Sequence, residues 1–303
     1  MAQLRIGSCS FSYPSWAGLV YSAPRGINYL AEYAQRYNTV EVDQWFWSLF
    51  PPNPPKLPDP ATVQSYAASV GPDFRFTIKA PNSLTLTHNS EKQSHGDGSP
   101  NPNFLSPELY HRFLDSIEPL LPLTGAIILQ FEYLNKQKMP NAAAFFERLG
   151  AFLAQAQRPA PLTIELRNPN YYGQQFVEFC AGHRVGPALC QGYYLPDLVQ
   201  AVGTMGLPPA EPKGPGAPPH SATAAPSPVV LRLIGPDRAA MDRSSGKRWD
   251  RIIVPRDSDL ERIVRFSQAT VHRGHDVYLN VNNHYEGSAP LTIEKISSLA
   301  FPA

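Results

Sequence analysis

Several charged side chains lie within or at the ends of otherwise apolar segments. A charge in such a place is costly unless it is paired, hydrogen-bonded or put to use. Glu41 stands in NTVEVDQWFW with Asp43 two residues on, Lys79 ends FTIKAP, Glu165 and Arg167 alternate in TIELRNP, and Arg232 interrupts VVLRLIG. If these segments are strands, residues two apart share a face. A lysine among carboxylates supplies a cation for an oxyanion or phosphate, and once desolvated it becomes a base or a Schiff-base nucleophile. A carboxylate such as Glu165 can act as a general base. Lys79 and Glu165 are therefore the candidate catalytic residues. Glu41, Arg167 and Gln130, the last in LQFEY, are candidate ligand-binding residues. The competing reading is an ion-pair network with no chemistry.

Further polar and aromatic residues extend this list. His88 lies in LTLTHN, and Asn282 and Asn283 lie in NVNNHYEG, where amides could orient hydroxyl groups. Tyr13 and Trp16, with Trp45, Phe46 and Trp47, could form a wall for a sugar or a nucleobase, or simply pack loops. No HxH or HExxH spacing joins Glu41, His88, Glu165 and His284 into a ligand set, so no metal is expected. No GxGxxG or P-loop follows an apolar run, so no nucleotide cofactor is expected either.

The elements that must position these residues alternate regularly. Strands are expected at Leu4–Ser8, Thr39–Asp43, Phe74–Lys79, Ala126–Phe131, Leu162–Leu166, Val185–Cys190, Val229–Leu233 and Asp276–Val281. Helical spacing fills the intervals at Ile27–Tyr37, Ala61–Val70, from Ser106-Pro107 onward, Asn141–Gln155, Gln174–Gly182, a short piece at Leu195–Val202, a helix running to His272, and Pro290–Leu299. Asp59-Pro60 and Ser106-Pro107 read as caps followed by a proline at the first helical position, and Ser258 with Glu261 reads as a capping box. Eight strands alternating with about eight helices imply parallel strands joined by crossovers. In 303 residues that pattern fits one closed (β/α)8 TIM barrel, whose chemistry sits at the carboxyl ends of the strands. Each candidate residue falls at or near such an end.

Composition narrows the function classes. Lys plus Arg number 26 against 25 Asp plus Glu, a net charge of +1, which opposes a protein built to coat nucleic acid or an anionic membrane. No run approaches the length of a membrane span. Three cysteines without a CxxC pair, and a start without a basic and then apolar leader, point to the cytoplasm. Thirty-three prolines concentrate in two places, and Leu207–Pro228 is so poor in large apolar residues that it reads as a flexible insertion within a single domain spanning 1–303.

Taken in order, GSCSFSYPSWAG, YNTVEVDQWFW, FRFTIKAP with LTHN, AIILQF, TIELRNPNYY and VNNHYEGSAP resemble the YecE-like family, also called domain of unknown function 72. The resemblance runs from about residue 6 to 290 and implies a TIM barrel, in agreement with the element count. The chain departs from the family's usual Gly-Trp near Phe11, its Thr-Phe-Tyr at Gln44–Trp47, and its Pro-Pro at Glu132-Tyr133. The resemblance supplies no activity. Such barrels look similar to sugar isomerases and to endonucleases acting on abasic DNA, which is an analogy of fold.

Three readings follow. The first is an enzyme, a hydrolase or isomerase in kind, or a binding protein for a small polar ligand, sugar-like or phosphorylated. The second is a nucleic-acid-binding or processing protein, and the third a non-catalytic scaffold. Oligomeric state is left open.

Overall fold

The computed structural model describes residues 1–51, 53–89, 98–197, 199 and 227–302. Strands β1 (Leu4–Ser8), β2 (Thr39–Val42), β3 (Arg75–Lys79), β4 (Thr124–Gln130), β5 (Leu162–Glu165), β6 (Gly186–Gly192), β7 (Val229–Gly235) and β8 (Val277–Val281) pair in chain order. All neighbours are parallel, and β8 returns to β1 to close the barrel. The described helices are α1 (Tyr29–Tyr33), α2 (Pro60–Ala68), α3 (Pro107–Ser116), α4 (Ala142–Leu153), α5 (Gln174–His183), α6 (Arg238–Ser245), α7 (Asp257–His272) and α8 (Ala289–Ala300). This is the (β/α)8 architecture expected from the sequence. No described helix is long and apolar enough to cross a membrane.

Local chemistry starts most helices. Asp59 accepts from Thr62 N at 2.9 Å and Ser106 from Leu109 N at 3.2 Å, each followed by a proline. Three elements differ from expectation. The first helix is one short turn rather than Ile27–Tyr37, because Asn28 caps it at Ala31 N and the chain after Tyr33 continues as tight turns. Ser258 does not cap α7. It lies inside the first turn, and the helix entry is fixed instead by Arg256 N donating to Glu286 Oε1 at 2.6 Å. Helix α6 was not anticipated, since it buries just Met241 and Ser245 and so carries no apolar stripe; Asp237 caps it and Gly246, at φ 58°, ends it. The helix expected at Leu195–Val202 falls largely outside the described residues, as does the insertion at 207–228 up to residue 226.

The barrel holds two kinds of interior. Alternate residues of β4, β6, β7 and β8 — Ala126, Ile128, Ala188, Val230 and Tyr278 — form an apolar plug. Gly125 is required there, because a Cβ at that position would lie 2.3 Å from the Tyr278 ring. One step toward the carboxyl ends, β4, β7 and β8 turn polar at Gln130, Arg232 and Asn280. The outward faces, such as Val40, Ile78, Leu129, Ile164, Leu231 and Leu279, join the main core shared with the helices.

Candidate functional site

Arg232 is the hub of the polar layer. Its Nε and Nη2 donate to the two carboxylate oxygens of Glu41, each at 2.6 Å, across the barrel from β7 to β2. Its Nη1 donates to Glu165 Oε2 at 2.7 Å and to Gln130 Oε1 at 3.2 Å. Arg167 Nη2 reaches the other Glu165 oxygen at 2.6 Å. Asn280 of β8 donates to Glu41 at 3.3 Å and to Thr77 Oγ1 at 2.9 Å. Glu41 and Glu165 are fully buried and Arg232 nearly so. Two carboxylates and two guanidiniums thus neutralise one another in fixed geometry. Burial alone would raise the pKa of Glu165, but the positive charges of Arg167, Arg232 and Lys79 hold it below the usual carboxylate range. The same balance, with Glu165 and Glu41 outweighing burial, keeps Arg232 charged.

Lys79 stands apart from this quartet. It is 7% exposed and joins no ion pair within 4.0 Å among the described residues. Its Nζ lies 3.8 Å from the centre of the Phe46 ring. Burial, aided by the positive charge of Arg232, lowers its pKa from 10.5 to about 8, against the pull of Glu41, Glu165 and Asp43. The strand register runs Glu41 against Thr77 and Val42 against Ile78, and Asp43 and Lys79 are the next residue along each segment. Burial, and then the charge of Glu41, raises the pKa of Asp43, while Lys79 and Arg232 oppose that rise. Lys79 and the half-buried Asp43 therefore feel one another's charge, and burial displaces each toward its neutral form.

The loop after β2 places the ring over Lys79. Asn82 Oδ1 accepts from Ser48 N at 2.9 Å and Leu49 N at 3.1 Å, while Asn82 N donates to the Phe46 carbonyl at 2.6 Å. Trp45 and Phe46 are buried, and Trp47 is 60% exposed.

The other candidates occupy different settings. Trp16 is fully buried, with Nε1 donating to Asn283 Oδ1 at 3.3 Å. That same oxygen accepts from Ala289 N at 2.9 Å, so Asn283 ties the β1 loop to the start of α8. Tyr13 packs on Trp16 at 4.7 Å, and burial with the nearby Asp43 raises its phenol to about 12. Asn282 Oδ1 contacts His284 Nδ1 at 2.6 Å, and His284 Nε2 lies 2.9 Å from Asp242. His88 belongs to a separate loop network: its Nδ1 meets Thr87 Oγ1 at 3.0 Å, and Thr87 donates to Glu132 at 2.9 Å. Gln130 stays with the quartet through Arg232. No three His, Cys, Asp or Glu residues among those described converge as metal ligands would.

Two contributors were not singled out from the sequence. Asn280 lies two residues before Asn282 on β8, so period-two spacing would have found it. The second is an aromatic rim at 133–194: Tyr133 and Tyr194 meet edge to face at 6.2 Å, and Arg167 lies over Tyr193 at 5.2 Å. Tyr133, Tyr193 and Tyr194 are all exposed. Arg167 Nε, Gln191 Oε1 and Asn280 Oδ1 are buried without a hydrogen-bond partner among the described residues. A cavity of about 760 Å³ lies elsewhere, on the outer wall between residues such as Arg36 and Tyr37 and the α8 residues Pro290 and Glu294.

Over residues 5–301 the chain matches the family described as proteins of unknown function, DUF72. It belongs to that family. A DUF72 protein from Enterococcus faecalis V583 is 18% identical, with a TM-score of 0.65 over 99% of this chain and 96% of that one. A DUF72 protein from Thermotoga maritima MSB8 is also 18% identical, with a TM-score of 0.63 over 98% of each chain. A Clostridium thermocellum endo-1,4-beta-D-xylanase, solved with xylohexaose, is 7% identical with a TM-score of 0.50 over 98% of this chain and 66% of that one, a likeness of fold alone. No curated protein matches the chain.

Proposed function

We propose that this DUF72 protein is an enzyme acting on a small polar molecule, sugar-like or phosphorylated, at the carboxyl face of its barrel, with Lys79 as the reactive group. The observation that carries this reading is an amine buried at a strand tip with no ion pair among the described residues, beside a quartet whose charges are already balanced. A lysine kept for pairing would sit within ion-pair distance of a carboxylate, but Glu41 and Glu165 are committed to arginines, and Asp43, although it feels the charge of Lys79, forms no ion pair with it. In this reading Glu165, held ionised between two guanidiniums, serves as a fixed counter-charge rather than as the general base. Gln130, Glu41 and Arg232 hold the floor of the site. Arg167, the most exposed of the quartet, reaches toward the ligand. Trp16, Asn283 and Asn282 act through loop geometry, and His88 braces its own loop.

The direct test is a thermal-shift screen against sugar phosphates and their unphosphorylated parents. A ligand at about 100 times its Kd should stabilise the fold by about 2.7 kcal/mol. The Lys79→Ala protein should lose that response. The absence of any response in the wild-type protein, or an undiminished one in Lys79→Ala, counts against the reading.

The exposed tyrosines beside Arg167 support a second reading, in which a nucleobase stacks on the rim. That reading requires salt-dependent binding to single-stranded or abasic DNA, and no binding at low salt removes it.

A further inference from the structure

We propose that Lys79 forms a covalent imine with an aldehyde or ketone at the carboxyl face of the barrel, with Asp43 serving the proton transfers; this rests on the reading of that face as the ligand site. Three geometric features support it. Lys79 has no ion-pair partner among the described residues, so its nitrogen can take a carbon without displacing one of them. Asp43 directly follows β2, the strand paired with that of Lys79, and the charges of the two groups act on one another. The Phe46 ring, pinned through Asn82, lies under the nitrogen at 3.8 Å, where a π face favours a cation. A protonated imine is a cation at that same position, so ring and quartet carboxylates stabilise the intermediate as they do the ammonium.

The steps balance without any outside reagent. The neutral Lys79 amine attacks the carbonyl carbon, forming the C–N bond while the C=O π pair moves to oxygen. The oxygen takes a proton from the Asp43 carboxyl, and the nitrogen returns one to the carboxylate. The resulting carbinolamine hydroxyl is protonated in turn and leaves as water, giving the protonated imine. No atom is oxidised or reduced. The protonated imine accepts electrons from the neighbouring carbon, so that carbon can lose its hydrogen, leading to isomerisation, or its bond to the next carbon, leading to cleavage of an open-chain sugar.

The lowered pKa of Lys79 supports the chemistry, since far more of the amine is neutral near pH 7 than in an ordinary lysine. The experiment uses the intact protein with glycolaldehyde and glyceraldehyde 3-phosphate as probes, cyanoborohydride to fix any imine, and peptide mapping by mass spectrometry. The exposed lysines Lys136 and Lys247 serve as internal controls. Expected is modification at Lys79 at least about tenfold faster than at the controls, with a rate that levels off above about pH 8 rather than near 10.5. Asp43→Asn should slow the reaction without moving it to another lysine. Modification of the controls at the same rate as Lys79, or none at Lys79, overturns the proposal, and the wild-type protein alone decides this. If the same compounds raise the melting temperature yet leave Lys79 unmodified, imine formation fails while the ligand site stands. If they neither bind nor react, both readings fail together.

Discussion

Two neighbouring regions of the barrel interior handle buried charge in opposite ways. In the quartet of Glu41, Arg232, Glu165 and Arg167, every charge meets its opposite at 2.6 to 2.7 Å. One step away, Lys79 and Asp43 meet no such partner among the described residues, and burial drives each toward its uncharged state. The first arrangement resists change, because removing one member strands another in a medium of low dielectric. The second costs stability and shifts each group toward its uncharged form, which favours proton transfer and nucleophilic attack. The difference separates the charges that hold the site from those that act in it.

The contrast breaks most readily at the hub. Arg232→Met leaves two buried carboxylates without their main partner and should destabilise the fold by about 3–5 kcal/mol in urea denaturation. A loss under about 1 kcal/mol would mean the quartet is not the anchor described.

Lys79→Met should act in the other direction. A fall from 10.5 to about 8 in a nearly fully buried amine corresponds to about 3 kcal/mol against folding. The folded state binds the proton less well, so the penalty is full below pH 8, shrinks as pH rises, and is gone above 10.5. Lys79→Met should therefore raise stability at pH 7 by up to about 3 kcal/mol, with a gain that fades toward pH 10.5. A destabilisation as large as that of Arg232→Met would erase the contrast.

Asp43→Asn sharpens the same point more gently. The raised pKa means the folded state holds the Asp43 proton more tightly, so its penalty is absent at low pH and develops as pH climbs past 3.8. The variant should be more stable than wild type at pH 7 and equal to it near pH 3, by thermal melts at both values. Smallest of all is Arg248→Ala, which removes a pair to Asp250 from an arginine 75% exposed. It should change stability by less than about 0.5 kcal/mol.

The barrel was legible because a parallel sheet covered by helices imposes long-range regularity on the sequence. Apolar runs such as AIILQF mark strands buried on both faces, and prolines after Asp59 and Ser106 mark helix starts. Features set by tertiary contact were not legible. Helix α6 lacks an apolar stripe, and the start of α7 depends on Glu286, which lies about thirty residues further on. At the site, residue type and spacing picked out the charged positions, but not how they divide. Glu165 and Lys79 look equally exposed to chemistry in the sequence. Arg232 separates them, because its guanidinium closes on both glutamates and its charge works against that of Lys79. The exposed tyrosines at 133 and 193–194 gave no signal, since an aromatic beside a strand end reads equally well as packing.

The central claim is that Lys79 carries an amine with no ion pair among the described residues and a pKa lowered to about 8, and its own titration tests that most directly. With lysine side chains labelled at carbon and nitrogen, the Lys79 resonance, assigned by its absence in Lys79→Met, can be followed by NMR against pH. The account predicts a midpoint of about 8, well below that of the exposed lysines. A midpoint at or above 10.5, as for a lysine held by a carboxylate, would contradict it.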